Sequence, residues 1–295
     1  MHDVAIIGGG PAGLQAALTL GRMHRTVALV DSGAYRNDPT SALHNLIAHD
    51  GQAPADLRAA ARRNLDAYAT VEVIGARVAR ISGELGAFSL ALDDGRVVEA
   101  GRLVLATGVA DALPAVPGLA ELFGDLVAHC PFCHGHEFAG RRVGIVGAGD
   151  HGQRLAAMLA PIASEVVILP GDGEASEATT SVRPGRIERM AQADDGVEVR
   201  FADGTREEFA GLFTATVWRQ AAPFAAELGL EVSEVGGVRV DAFGRTSRPG
   251  VYAAGDIAQP AGMPGPMHAV AAAIASGQLA GVACVQDLVA EALAS

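Results

Sequence analysis

A chain of 295 residues with 49% hydrophobic content has core enough for two domains, and its 37 glycines point to many tight turns and close backbone approaches. A net charge of −12 argues against binding a nucleic-acid backbone, which needs a basic face, and 4% aromatics leave little for base stacking. Three cysteines are too few for a structural disulfide framework and favour redox or metal chemistry.

No basic stretch leading into a cleavable apolar segment opens the chain, and the Ala-rich run 269–283 is interrupted by Ser276, Gly277 and Gln278. The expectation is a soluble cytoplasmic protein with no membrane or nucleic-acid partner. The apolar run 4–7 reads as a buried strand. It is followed by Gly8-Gly9-Gly10-Pro11-Ala12-Gly13, a helical pattern over 14–21, and a second strand over 26–30 that ends on Asp31. This is a complete dinucleotide fingerprint of strand, glycine turn, helix, strand and acid. Its glycines let the backbone approach a pyrophosphate, the helix N-terminus favours the charge, and Asp31 can hold a ribose diol.

Residues 34–57 are turn-rich, with Arg36-Asn37, His44-Asn45 and Asp50-Gly51. A helix is predicted over 54–68, with Arg58, Arg62 and Arg63 on its solvated face. Strand-type segments follow at 71–74, 76–82 and 87–92. Asp94-Gly95 signals a hairpin into 97–99, and 102–106 reads as a separate buried strand ending in Thr107-Gly108.

Pro114, Pro117 and Gly118 mark a boundary, and beyond it lies His129-Cys130-Pro131-Phe132-Cys133-His134. Cysteines at that spacing face one side of a turn or helix start, close enough for a small reversible disulfide. A neighbouring imidazole can take or return the proton that makes the reactive thiolate. The fingerprint then repeats as a strand over 142–146, Gly147-Ala148-Gly149-Asp150-His151-Gly152, and a strand over 165–169. Asp203-Gly204 precedes Leu212 by the offset that separates Asp94-Gly95 from Leu103, which reads as an internal duplication of one nucleotide-binding module. Near the end, an apolar strand runs into Gly255-Asp256, ahead of a helix from about Met267; Asp256 can accept a hydroxyl's hydrogen bond.

Other readings of these residues are plainer. Cys284 is expected to be a small buried hydrophobe, Trp218 core or interface filling, and His136 and His151 exposed or hydrogen-bonded histidines. Cys130-x-x-Cys133-His134 also matches the haem-attachment pattern of exported proteins, and nothing here directs export. His129, Cys130, Cys133 and His136 are all potential zinc ligands, but four ligands in one turn rarely converge on one centre, so no metal is expected.

In this order the segments resemble the low-molecular-weight thioredoxin reductases of the FAD/NAD(P) pyridine nucleotide-disulfide oxidoreductase family. The resemblance implies an α/β fold of two Rossmann-like dinucleotide-binding domains, the second inserted into the first. The FAD-binding domain would comprise 1–112 and 244–295, and the NAD(P)-binding-like domain with the cysteines 113–243, in a homodimer. Carried over, Gly8, Gly10, Pro11, Ala12, Gly13, Asp31, Arg36, Asn45, Val78, Ala106, Thr107, Gly108, Gly255 and Asp256 would contact FAD. His268-Ala269 would sit at a helix start where the family usually has glutamine, and Gly147, Gly149, Asp150 and Gly152 would form a nicotinamide nucleotide site.

Two departures bear on function. The reductases hold the 2′-phosphate of NADPH with a strand-end His-Arg-Arg run. Here that place reads Leu169-Pro170-Gly171-Asp172, with no arginine before Arg183, which speaks against NADPH. Asp172 could serve an NAD ribose, but Pro170-Gly171 separates it from the strand, so FAD and not NAD(P)H is the expected cofactor. The reductases also follow the cysteines with Asp-Gly, whereas this chain has His134-Gly135 and is similar to the flavin-dependent dithiol oxidases of the gliotoxin and holomycin type. Those enzymes close disulfides in small natural products and pass electrons to oxygen. By this resemblance Cys133 would lie against the flavin, Cys130 would face the substrate, and His134 and His129 would be bases. The expected activity is FAD-dependent oxidation of small-molecule dithiols. The alternatives are an NAD(P)H-driven reductase of a thioredoxin-like protein and a flavin-bound redox sensor.

Overall fold

The computed structural model describes residues 1–147, 149–171 and 180–294. They fall into two compact units: Met1–Arg36 with Ala55–Ala110 and Arg219–Ser295, and Asn37–Pro54 with Asp111–Trp218. Each is a doubly wound α/β module, and the main segment of the second is inserted into the first. The division differs from the expected boundaries at two places. Residues 219–243 cluster with the first unit, where Val238–Val240 pairs in parallel with Ala258–Pro260. The turn-rich stretch Asn37–Pro54 clusters with the second, where Ser41 N donates to Asp125 Oδ1 at 2.8 Å.

In the first unit, residues 4–7 carry no polar face, and the strand His2–Ile7 is buried between parallel neighbours Val27–Asp31 and Val97–Leu105. Val71–Gly75 extends the sheet beyond Val27–Asp31, and Val251–Ala253 joins the far side of Val97–Leu105. Ala87–Leu92 and Val78–Glu84 continue it as an antiparallel meander. The expected break between 97–99 and 102–106 is absent. Ala100 pairs with Phe88 on one side and His2 on the other, so the chain stays extended through it.

Against this sheet the helix Pro11–Arg22 buries Leu14, Ala16, Ala17 and Leu20 in the same core as Ala273, Ala280, Ala283 and Cys284 of the helix Val270–Ala294. Fully burying a side chain such as Leu20 contributes about 1.5–3 kcal/mol. Val270–Ala294 is long and apolar enough, by length and composition alone, to cross a membrane, but its small-residue stripe is committed to this core.

The second unit repeats the plan. Its parallel sheet runs Ser181–Val182, Glu165–Leu169, Arg142–Val146, Gly211–Thr214, Val127–Ala128. Alternate residues serve opposite faces. Ile145, Val166 and Ile168 meet Leu155, Ala156 and Leu159 of the helix Asp150–Leu159. Val146, Val167 and Leu169 meet Val197, Val199 and Phe201 of the meander Ile187–Ala193, Gly196–Phe201 and Arg206–Phe209. The shared order of central strand, fingerprint helix, flanking strands and meander is the duplication anticipated from the two Asp-Gly hairpins.

Candidate active site

Pro131 has no N–H to lose at the start of a helix and its fixed φ suits that position. It opens a single turn, Pro131–His134, in which the N–H groups of Cys133 and His134 both donate to Cys130 O at 3.2 Å. That turn brings the two cysteines to a Cα–Cα distance of 5.3 Å, and they form a disulfide. Both are half-buried, while Phe132 between them is exposed.

His134 is also half-buried, and its environment within the second unit comes from three stretches of chain. Its Nε2 lies 3.3 Å from Thr40 Oγ1. His44 meets it edge-on at 6.3 Å between ring centroids, and His44 Nδ1 in turn lies 3.5 Å from Glu137 Oε1 and 3.7 Å from Asp50 Oδ2. Burial pushes the His134 pKa below the ordinary histidine value, outweighing the raising effect of a hydrogen bond to the Gly124 backbone and of Glu137. The ring is therefore neutral at pH 7 and able to take a proton. His129 instead stacks on Phe123, with centroids 5.9 Å apart and planes 20° from parallel. His136 and His151 are exposed, and Trp218 is half-buried. Among the described residues no cluster of three or more His, Cys, Asp or Glu could hold a metal ion.

In the first unit the pairings Ile7 with Leu105 and Leu105 with Ala253 set three strand ends side by side. The segments leaving them, 8–13, 106–108 and 255–256, rim the crevice where doubly wound sheets take ligands. Gly8 adopts φ +112°, and a Cβ there would stand 2.3 Å from Ala106 O, so only glycine lets the two turns approach. The helix Pro11–Arg22 has no side-chain cap at Gly10, and nothing lies within 4 Å of where a Gly10 Cβ would point. Open space before uncapped helix N–H groups fits a pyrophosphate. Beside it a cleft of about 580 Å³ is lined by Asp31, Ser32, Gly33, Arg62, Ala76 and Arg77. Val78 is buried at the start of the next strand, and Arg36 NH1 donates to Asp256 Oδ2 at 2.9 Å. Ser276 Oγ accepts the Gly255 N–H at 2.9 Å, tying that turn to the helix Val270–Ala294, which His268 and Ala269 immediately precede. Pro11, Ala12, Gly13, Thr107 and Gly108 share this unit; Asn45 belongs to the other.

On the helix Pro54–Leu65 Arg63 is exposed as expected, while Arg58 and Arg62 are half-buried and take partners as well as solvent. Arg62 donates to Asp31 and to Tyr35 Oη, and the Arg58 guanidinium lies over the Tyr35 ring at 3.9 Å. A helical wheel registers the solvent side but not the carboxylate that a distant strand end delivers to it. Of the second fingerprint, Gly147 N donates to Leu169 O at 2.9 Å, Gly149 is at φ +81°, and Asp150 and Gly152 open the helix. Asp172 lies outside the described residues. Arg183, the first arginine beyond it, is spent within the unit: Nε donates to Glu207 Oε1 at 2.8 Å, and one terminal nitrogen to Asp203 Oδ2 at 3.0 Å.

Together these modules define a class, the flavin-dependent oxidoreductases that exchange electrons with a disulfide. The chain belongs to the pyridine nucleotide-disulphide oxidoreductase family, whose profile matches residues 2–277, and that family is FAD-dependent. It is 35% identical to thioredoxin reductase aclD of Aspergillus oryzae, over 98% of this chain and 96% of that protein. It is 33% identical to thioredoxin reductase tcpT of Claviceps purpurea, over 97% and 95%. A crystal structure of an oxidoreductase from Agrobacterium tumefaciens superposes with a TM-score of 0.89 at 35% identity, covering 98% of each chain.

Proposed function

We propose that this enzyme oxidises small-molecule dithiols to disulfides through Cys130 and Cys133, with FAD as its cofactor and oxygen as final acceptor. The carrying observation is the Cys130–Cys133 disulfide beside an imidazole kept neutral by burial. One substrate thiol loses its proton to His134, and the thiolate attacks Cys130, breaking the S–S bond and releasing Cys133 as thiolate. The second substrate thiol attacks the mixed disulfide; the substrate leaves with a new S–S bond and the enzyme pair is reduced by two electrons. His129, stacked on Phe123, is the candidate second base.

FAD supplies the two-electron acceptor that returns the pair to disulfide. Gly8, Gly10, Pro11, Ala12 and Gly13 would hold its pyrophosphate and Asp31 a ribose hydroxyl. Arg36, Val78, Ala106, Thr107, Gly108, Gly255, Asp256, His268, Ala269 and Asn45 complete the proposed cofactor set. A homodimer in the cytoplasm goes with the same resemblance.

An NAD(P)H-driven reductase acting on a thioredoxin-like protein is the second reading, supported by the second glycine fingerprint at Gly147, Gly149, Asp150 and Gly152. The internal commitment of Arg183 favours the first, because a 2′-phosphate needs a cation free to pair with it. Anaerobic titration of the FAD-loaded protein decides. Dithiothreitol is expected to bleach the flavin and NADPH to leave it oxidised; bleaching by stoichiometric NADPH would establish the reductase.

A further inference from the structure

Thr40 and Asp125 have no part in the chemistry above, yet they converge on its base. Thr40 Oγ1 lies 3.3 Å from His134 Nε2, 3.2 Å from Asp125 Oδ1 and 3.0 Å from Ala42 O. A threonine hydroxyl has one proton to give. Its contacts to Asp125 and Ala42 are donor contacts, so in the Nε2–H tautomer of His134 Oγ1 accepts from the imidazole and Nδ1 is the nitrogen left to take the thiol's proton. Asp125 fixes the hydroxyl in place, for the same Oδ1 also takes Ser41 N at 2.8 Å and Ser41 Oγ at 3.0 Å. The approach of the two segments is close by construction: Gly124 is at φ +118°, and a Cβ there would stand 2.3 Å from Pro39 O. Any other residue at position 124 would collide with the Pro39 backbone that leads into Thr40.

We infer that Thr40, oriented by Asp125, is a positioning residue that holds His134 and stabilises the imidazolium formed when a thiol gives up its proton. This rests on His134 acting as the base. An acceptor at Nε2 costs the neutral ring little and favours the charged one, which is the state reached during thiol deprotonation. The charged groups around the ring are Glu137 from the short turn that follows its own, His44 with Asp50 from the segment Asn37–Pro54, and Asp125 from the loop ahead of the cysteines. Of these Asp125 is the one tied to the ring through a single hydroxyl.

The test has two readouts on the FAD-loaded protein. The first is the His134 titration followed by imidazole NMR, and the second the pH profile of anaerobic flavin reduction by dithiothreitol. Thr40→Val is expected to lower the His134 pKa by about half a unit or more and to slow reduction by about tenfold. Thr40→Ser restores both, and Asp125→Asn produces a smaller shift in the same direction. Should Thr40→Val leave the titration and the profile where they were, while His134→Ala still slows reduction, the relay is refuted and the base survives. If His134→Ala itself has no effect, the assignment of the base fails first. Thr40→Ser guards against a folding artefact: a variant that merely loosened the segment would not be rescued in its titration by one hydroxyl.

Discussion

The guanidinium of Arg62 donates to the same oxygen of Asp31, Oδ2, that accepts the Tyr35 hydroxyl at 2.5 Å. Gly33 N occupies Oδ1 at 3.0 Å. A carboxylate offers about four acceptor positions. Three are taken among the described residues, which leaves one on Oδ1 for a ribose hydroxyl. Tyr35, pushed up to about 12 by burial and by the adjoining Asp31 carboxylate, stays a donor throughout the working pH range.

Asp31→Asn should therefore weaken FAD binding by about tenfold, or ~1.4 kcal/mol, because a charge-assisted acceptor becomes a neutral one. Tyr35→Phe should leave the affinity within about twofold. Quenching of flavin fluorescence on titrating FAD into each apoprotein measures both. Equal weakening by the two variants would move the ribose contact from Asp31 to the tyrosine.

The dithiol half-reaction has a definite pH signature. His134 is lowered from the ordinary histidine value of 6.5, chiefly by desolvation. Its base form thus persists on the acid side of 6.5, and reduction of the flavin by dithiothreitol should hold its rate there before falling as the ring protonates. His134→Ala should slow the step by on the order of a hundredfold and flatten that acid limb. Stability follows the same sign. A depressed pKa means the folded state binds fewer protons than the unfolded one between the two values, so His134 costs nothing above pH 6.5 and stability declines as pH falls below it. A limb centred above pH 7 that His134→Ala left in place would assign the titration to another group.

Both cysteines are required by the exchange sequence, but for different steps. Cys133→Ser should abolish flavin reduction by dithiothreitol, since no second sulfur remains to receive the pair of electrons. Cys130→Ser should equally stop turnover while leaving Cys133 free to form a mixed disulfide with a mono-thiol disulfide reagent. Mass spectrometry of the adduct and the flavin spectrum separate these outcomes. Undiminished bleaching in Cys133→Ser would remove the cysteine pair from the reaction.

Much of this architecture is local in sequence and so readable there. Gly8 to Asp31 and Gly147 to Leu169 each carry turn, helix and strand in a short span, and Cys130 and Cys133 sit within one turn. Distant partners leave no such trace. Thr40 meets His134 across 94 positions and Arg62 meets Asp31 across 31, and in both cases the local pattern announces only a turn or an exposed helix face. The strand Val97–Leu105 is a milder instance. Gly101 looks like an interruption, but pairing on both sides of Ala100 holds the chain straight through it. The allocation of Asn37–Pro54 to the second unit likewise goes with partners about eighty to a hundred positions away, Asp125 for Ser41 and His134 for Thr40, whose roles no periodicity encodes.

Arg183 gives a prediction in which stability and nucleotide binding part company. It and Arg142 meet on one carboxylate: Arg142 donates to Glu207 Oε2 at 2.6 Å and Arg183 to Oε1 at 2.8 Å, while the Arg183 guanidinium lies over the Phe201 ring at 4.0 Å. Arg183→Ala should lower thermal stability by ~1 kcal/mol through the lost ion pair and ring contact. It should not change the response of the flavin to NADPH. Calorimetry and the anaerobic titration report the two separately; bleaching by NADPH in the parent protein that is missing from this variant would mean that the guanidinium leaves Glu207 to bind a phosphate.

Cys284 shares its element with no redox partner and is fully buried among Ala16, Ala17, Leu20 and Ala280. Burial pushes its thiol far above the ordinary cysteine range, and the nearby Arg102 guanidinium only partly offsets this. Thiolate is the reactive form, so Cys284 is inert for as long as the helix Val270–Ala294 stays packed. After reduction the native protein should react with two equivalents of iodoacetamide, at Cys130 and Cys133, and with a third only on unfolding. Because protection of Cys284 depends on global or sub-global opening, the rate of the third alkylation under native conditions reports how firmly that helix is held. Three equivalents taken up at one rate would show that the helix opens as readily as the active-site turn, and that the buried stripe on which the first unit's core depends is not stable.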